Sequence, residues 1–205
     1  MPRFVDSLDR GLLVSEGWQS KRAKVKQVFP MDLVVVDVQD EFDNFFDDKY
    51  IEQLFDYSRQ FQRVFQVWDS HKAERHSYEF PNQVRSVTKL FGFDADNVDF
   101  NNYVMPDVAA RLRDDIKNKS LVKGTAYIDK RNGAIVYVGG GHEWFHCPAP
   151  LAAILKSIGQ SKRKVMLVGG AAGECLEDVF QAARAFGCDA EIYEQLTYSA
   201  KDREK

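Results

Sequence analysis

Residues 31–39 read MDLVVVDVQ, a near-continuous run of apolar, mostly β-branched positions. A strand buried on both faces has this signature, because neither alternate set of side chains meets water. The period then changes. In DDKYIEQLFDYSRQF, Tyr50, Ile51, Leu54, Phe55 and Tyr57 fall on roughly one helical face. RVFQVW (63–68) predicts a second short strand. From 70 to 100 the pattern is weaker, and a short helix over 82–90 is the reading there.

Further on, MPDVAARLRDDIKNK predicts a helix with Pro106 in its first turn. SLVKG predicts a short strand. AYIDKRNGAIVYV carries Asn132-Gly133 between apolar arms, a hairpin signal. APLAAILKSIG predicts a helix that stops at Gly159, and KVMLVGG another strand. Residues 174–186 place Leu176, Val179, Phe180 and Ala183 at helical spacing before Gly187, and DAEIYEQL closes the series as a strand. Strands that alternate with helices predict a three-layer, Rossmann-like α/β fold, with a mostly parallel central sheet and helices on both faces. Residues 1–30 are polar and weakly periodic, so the expected division is an N-terminal arm over 1–30 and one domain over 31–205.

Composition narrows the function. The 205 residues carry a formal charge of −3, which argues against a nucleic-acid partner. No apolar run reaches the length of about 18 residues that spans a membrane, and the N-terminus has no apolar signal core. Three cysteines without a CxxC pair predict neither a disulfide framework nor structural zinc. A cytoplasmic protein is the expectation.

In open parallel sheets, ligands bind beyond the carboxyl ends of the strands. That rule selects Asp37, Asp69, His71, Lys123 and Cys175. Cys175 opens a helix after GGAAGE, a segment that fits neither GxGxxG nor GxxxxGK[ST]. At such a helix start the dipole favours a thiolate and loop amides can hold an oxyanion; a small buried packing residue fits the position equally. Asp37 ends an apolar strand as either a hydrogen-bonding loop residue or a base for the thiol. Lys123 would add positive charge beside them. Asp69 and His71, two apart, can share a divalent ion, with no third ligand evident unless His76 supplies it; a solvated polar loop fits the segment equally. GGGHEWFHC, with His142, His146 and Cys147, reads as a glycine-hinged loop that lines or covers a pocket.

Four segments together, LVVVDVQDEF, VWDSH, LVKGTAYID and VGGAAGECLEDVFQAARAFG, resemble the isochorismatase-like cysteine hydrolases, and most of all the nicotinamidases. The resemblance implies an Asp–Lys–Cys triad of Asp37, Lys123 and Cys175; Lys130 also fits the lysine, but falls at the hairpin turn. It implies a cis peptide at Gly170–Ala171 and an oxyanion hole formed by the amides of Ala171 and Cys175. It further implies a divalent metal (zinc, iron or manganese) at Asp69 and His71. The family's further metal-binding histidine, in a W-P-x-H-C-like segment before the lysine, has no match here. The implied reaction is hydrolysis of a small amide through a thioester, as in nicotinamide to nicotinate plus ammonia, by a homo-oligomer. The rivals are a metal-free isochorismatase-type hydrolase and a non-catalytic binding protein on the same fold.

Overall fold

The computed structural model describes residues 29–69, 78–92, 100, 104–131, 133–139 and 142–199. The arm expected over 1–30 therefore lies almost wholly outside the described residues. The elements in order are β1 (Phe29–Val36), a 3-10 turn (Asp40–Phe45), α1 (Asp48–Ser58), β2 (Phe61–Asp69), β3 (Gln83–Gly92), α2 (Pro106–Lys117) and β4 (Thr125–Asp129). There follow β5 (Gly133–Tyr137), β6 (Trp144–Cys147), α3 (Ala149–Gln160), β7 (Lys164–Gly169), α4 (Cys175–Ala185) and β8 (Asp189–Thr197).

All eight strands form one sheet in the order β4-β5-β6-β3-β2-β1-β7-β8. The five strands β3-β2-β1-β7-β8 pair in parallel, and β6, β5 and β4 extend the sheet antiparallel beyond β3. This is the expected α/β architecture with helices on both faces. β1 shows how the sequence produces it. Val34 and Val36 join a core with Leu155 and Ile158 of α3 and Val179 and Ala182 of α4. Leu33 and Val35 point the other way, into a core with Leu54 of α1. Alternation along a strand sends neighbours to opposite faces, so a strand covered twice must be apolar throughout. α2 covers the antiparallel part through Ala109 and Leu112, packed with Ile135 and Trp144.

Two expectations from the sequence are corrected. Residues 83–92 form β3 rather than a helix. Val84, Val87 and Thr88 are β-branched, and burial alternates over the last part of the strand, with Val87 and Lys89 inside. SLVKG is not a strand; it runs into a turn in which the Thr125 N–H donates to the Val122 carbonyl at 2.8 Å. Gly124, at φ 76°, completes that turn.

At its amino end β1 is tied by charge. Asp32 is buried and accepts from Arg63 at 2.9 and 2.6 Å and from Arg163 at 3.2 Å. At its carboxyl end β1 is pressed against β7, where Gly169 has φ 100° and a Cβ would overlap the Val36 carbonyl oxygen. Gly169→Ala should therefore cost about 2–4 kcal/mol, as strain and overlap add. Gly187, at φ 81° but with nothing near the Cβ position, should lose only about 1 kcal/mol on the same change. Urea unfolding of the two variants measures the difference.

Candidate active site

β1 is the strand at which chain order reverses: β2 and β3 follow on one side of it, β7 and β8 on the other. A crevice opens at such a switch point, beyond the carboxyl ends of the strands. Asp37, the first residue past β1, lies there. Its backbone takes the left-handed region at φ 52°, which aspartate tolerates better than most residues. The turn is pinned from two sides. The Asp37 N–H donates to the Val67 carbonyl at 2.9 Å, and the Tyr198 hydroxyl donates to the Asp37 carbonyl at 2.7 Å. The carboxylate is thereby held inside the protein, 1% exposed.

Lys89 meets it. Val36, Val67 and Val87 stand in one row across β1, β2 and β3 and face the same core. Lys89, two residues past Val87, leaves β3 on that same face. From there its long side chain crosses β2, and Nζ lies 2.9 Å from Oδ2 of Asp37. Lys89 is 0% exposed. A lysine this deep is retained only by a partner.

Cys175 completes the cluster. It opens α4 on the core face shared by Val36 and Val87, where the Asp37 carboxylate and the Lys89 ammonium both act on its thiol. Burial pushes the Asp37 carboxyl above its ordinary value, although Lys89 and the thiol pull the other way. Burial disfavours the charge on Lys89, but Asp37, Cys175 and Asp69 outweigh it and hold the ammonium on. The thiol is pushed well up, first by burial and then by the negative charge of Asp37, with Lys89 opposing. The resting arrangement is thus a protonated thiol near a buried carboxylate, with a fixed cation gripping that carboxylate.

The loop between β7 and α4 is shaped by close packing. The Gly170–Ala171 peptide is cis, as the family resemblance implies. A Cβ on Gly170 would run into the Tyr198 ring. The Gly170 N–H donates to the Val36 carbonyl at 3.0 Å, and the Ala172 N–H to the Tyr198 carbonyl at 2.9 Å. The Ala171 carbonyl accepts from Glu174 and Leu176 at 3.1 and 3.3 Å, which folds the chain back into the first turn of α4. The Gln39 of the D-x-Q segment is also explained: its side-chain oxygen accepts the Asp69 N–H at 3.2 Å, joining the ends of β1 and β2.

The lysine expected from the sequence is corrected. Lys123 does not reach Asp37. Its ammonium sits 3.0 Å from Glu177 on α4, and its side chain is 47% exposed. Lys130 is exposed at the β4–β5 turn. Asp69 stands at the end of β2, where its charge bears on both Asp37 and Lys89. His71 and His76 lie outside the described residues. Among the described residues no group of three or more histidines, cysteines or carboxylates is placed to hold a metal ion.

GGGHEWFHC is likewise not a covering loop throughout. Its second half is β6, with Trp144, Phe145 and Cys147 buried. His142, just before that strand, is buried against Asp178 of α4, with Nδ1 2.5 Å from Oδ2. Neither Lys89 nor Asp178 stood out in the sequence. A strand assignment over 83–92 would have flagged Lys89, as a charge in step with the inward-facing Val87.

Compared with family models, curated proteins and solved structures, the chain matches none.

Removing Lys89 leaves a buried carboxylate without its cation. Lys89→Met should cost about 3–5 kcal/mol in denaturant unfolding. Lys123→Met, which breaks only a half-exposed pair, should change stability by less than about 1 kcal/mol.

Proposed function

We propose that the chain is a cysteine-dependent amidohydrolase of small amides, with Asp37, Lys89 and Cys175 as its triad. The observation that carries this reading is a buried carboxylate gripped at 2.9 Å by a buried ammonium, with both charges acting on the thiol that opens α4. A helix-opening cysteine packed only for shape does not need a buried ion pair beside it. Perturbed groups gathered at the switch point of a parallel sheet are what nucleophilic chemistry requires. The three free thiols, all buried, fit a reducing compartment such as the cytoplasm. No helix among the described residues is long and apolar enough to cross a membrane.

In this mechanism Asp37 takes the thiol proton as sulfur attacks the amide carbon, and a C–S bond forms. Negative charge collects on the former carbonyl oxygen, held by the backbone amides of Ala171 and Cys175 at the start of α4. Lys89 stays protonated and offsets the charge that moves through the site. As the C–N bond breaks, Asp37 returns the proton to the leaving nitrogen. A water then attacks the thioester with Asp37 again as base, which releases the carboxylic acid and restores the thiol. The net reaction is amide plus water to carboxylic acid plus ammonia or amine. Nicotinamide is the first substrate this reading nominates. If a divalent metal is held by Asp69 and His71, it would orient the substrate or polarise its ring nitrogen.

An ammonia-release screen over nicotinamide, pyrazinamide and small carbamoyl compounds, with and without zinc, iron or manganese, tests the reading. Turnover of at least one amide is expected. Cys175→Ala should abolish it, and Asp37→Asn should lower it by a factor of about 10³ or more, since base and acid are lost together. Ammonia release that survives Cys175→Ala contradicts the mechanism.

A further inference from the structure

A buried polar cluster beside Cys175 takes no part in the proposed mechanism. Asp178 lies one turn after Cys175 on α4, on the same face of the helix. It is 1% exposed, and its carboxylate is bound to His142, itself 3% exposed. Two buried pairs therefore flank the thiol. Asp37–Lys89 comes from the strand ends, and Asp178–His142 joins the nucleophile helix to the residue preceding β6.

The second pair is electrically connected to the first. The Asp178 charge opposes ionisation of Cys175, and Lys89 in turn acts on Asp178. Burial pushes the Asp178 carboxyl upward, and its contact with His142 works against that. Among the described residues Asp37 and Lys89 also act on the sulfur, and Glu177 stands beside Asp178 in the first turn of α4. A carboxylate one turn below a nucleophilic sulfur is costly unless something balances it. His142 is positioned to do so.

We propose that His142 and Asp178 are positioning residues for Cys175: Asp178 sets the negative field at the sulfur from the next turn of its own helix, and His142 balances that field while tying α4 to the start of β6. This rests on Cys175 being the nucleophile of the proposed reaction. It goes beyond the triad, because neither residue exchanges a proton with the substrate. The pair sets how readily the thiol gives up its proton to Asp37.

Alkylation of Cys175 by iodoacetamide, followed peptide by peptide at fixed pH, separates this role from a merely structural one. The peptide readout keeps Cys175 apart from Cys147 and Cys188, whose thiols burial also holds protonated. Asp178→Asn keeps the shape and removes the charge. It should speed alkylation of Cys175 by about three- to tenfold, the gain in thiolate when one nearby negative charge is lost. His142→Ala leaves the charge unbalanced and should slow it by a similar factor. His142→Asn, which puts an N–H near the Nδ1 position, should recover most of the wild-type rate. Thermal melts of each variant confirm that it is folded under the assay conditions. Should Asp178→Asn prove difficult to fold, the His142→Ala and His142→Asn pair carries the same test. Rates that fall together in Asp178→Asn and His142→Ala, or that stay at the wild-type value in both, overturn the proposal. A wild-type Cys175 that resists alkylation even under denaturant-free conditions at high pH would instead count against the nucleophile itself.

Discussion

A lysine and an aspartate buried together, 2.9 Å apart, determine how the carboxyl end of this sheet is built. Each charge alone would be too costly to bury, so each is held by the other. The pair also fixes geometry. Lys89 must leave β3 on the face that carries Val87, Asp37 must turn inward through a left-handed residue, and the two must meet over β2. β2 is consequently buried on both sides at Val64 and Phe65, and β1 is locked against β7 through Gly169. Tyr198, from beyond the last strand, closes the arrangement by bonding both Asp37 and the Gly169 carbonyl.

The same constraint gives the thiol its chemical character. Cys175 sits in the apolar core between α4 and the sheet, where a thiol would ordinarily be inert. Here the buried Asp37 carboxylate and Lys89 ammonium both act on it. In the proposed reaction its ionisation is a proton transfer to Asp37 rather than the loss of a proton to solvent. Helix start, carboxylate and cation converge because the strand order reverses at β1 and leaves room for all three. The three side chains come from separate segments, and the proposed reaction rests on their meeting.

Much of this was legible in the sequence. The doubly apolar run at 31–39 announced a central strand, and the run ending in glycines before Cys175 announced a strand, a tight loop and a helix. Asp37 and Cys175 were found because each terminates or begins an element whose pattern is strong. Lys89 was not, because the signal of β3 is weak: Val84 and Arg85 are exposed on the outer part of the strand, and the inward set begins only at Val87 and Lys89. A lone lysine in a polar stretch looks solvated until the strand beneath it is recognised. Lys123 attracted the role instead, since Lys-Gly after a short apolar run imitates a strand end. The His142–Asp178 pair was illegible for a different reason. Residues 36 apart, one of them in a glycine-rich segment, are joined only by tertiary packing.

The central claim is that the Asp37–Lys89 pair governs the Cys175 thiol, and the most direct measurement is the rate of site-resolved Cys175 alkylation in the wild type, Lys89→Met and Lys123→Met, each checked for native fold. Loss of the buried cation removes what stabilises charge at the sulfur, so Lys89→Met should react at least about tenfold more slowly, while Lys123→Met should match the wild type. Equal rates in the wild type and Lys89→Met, or a slowing in Lys123→Met alone, would contradict the account.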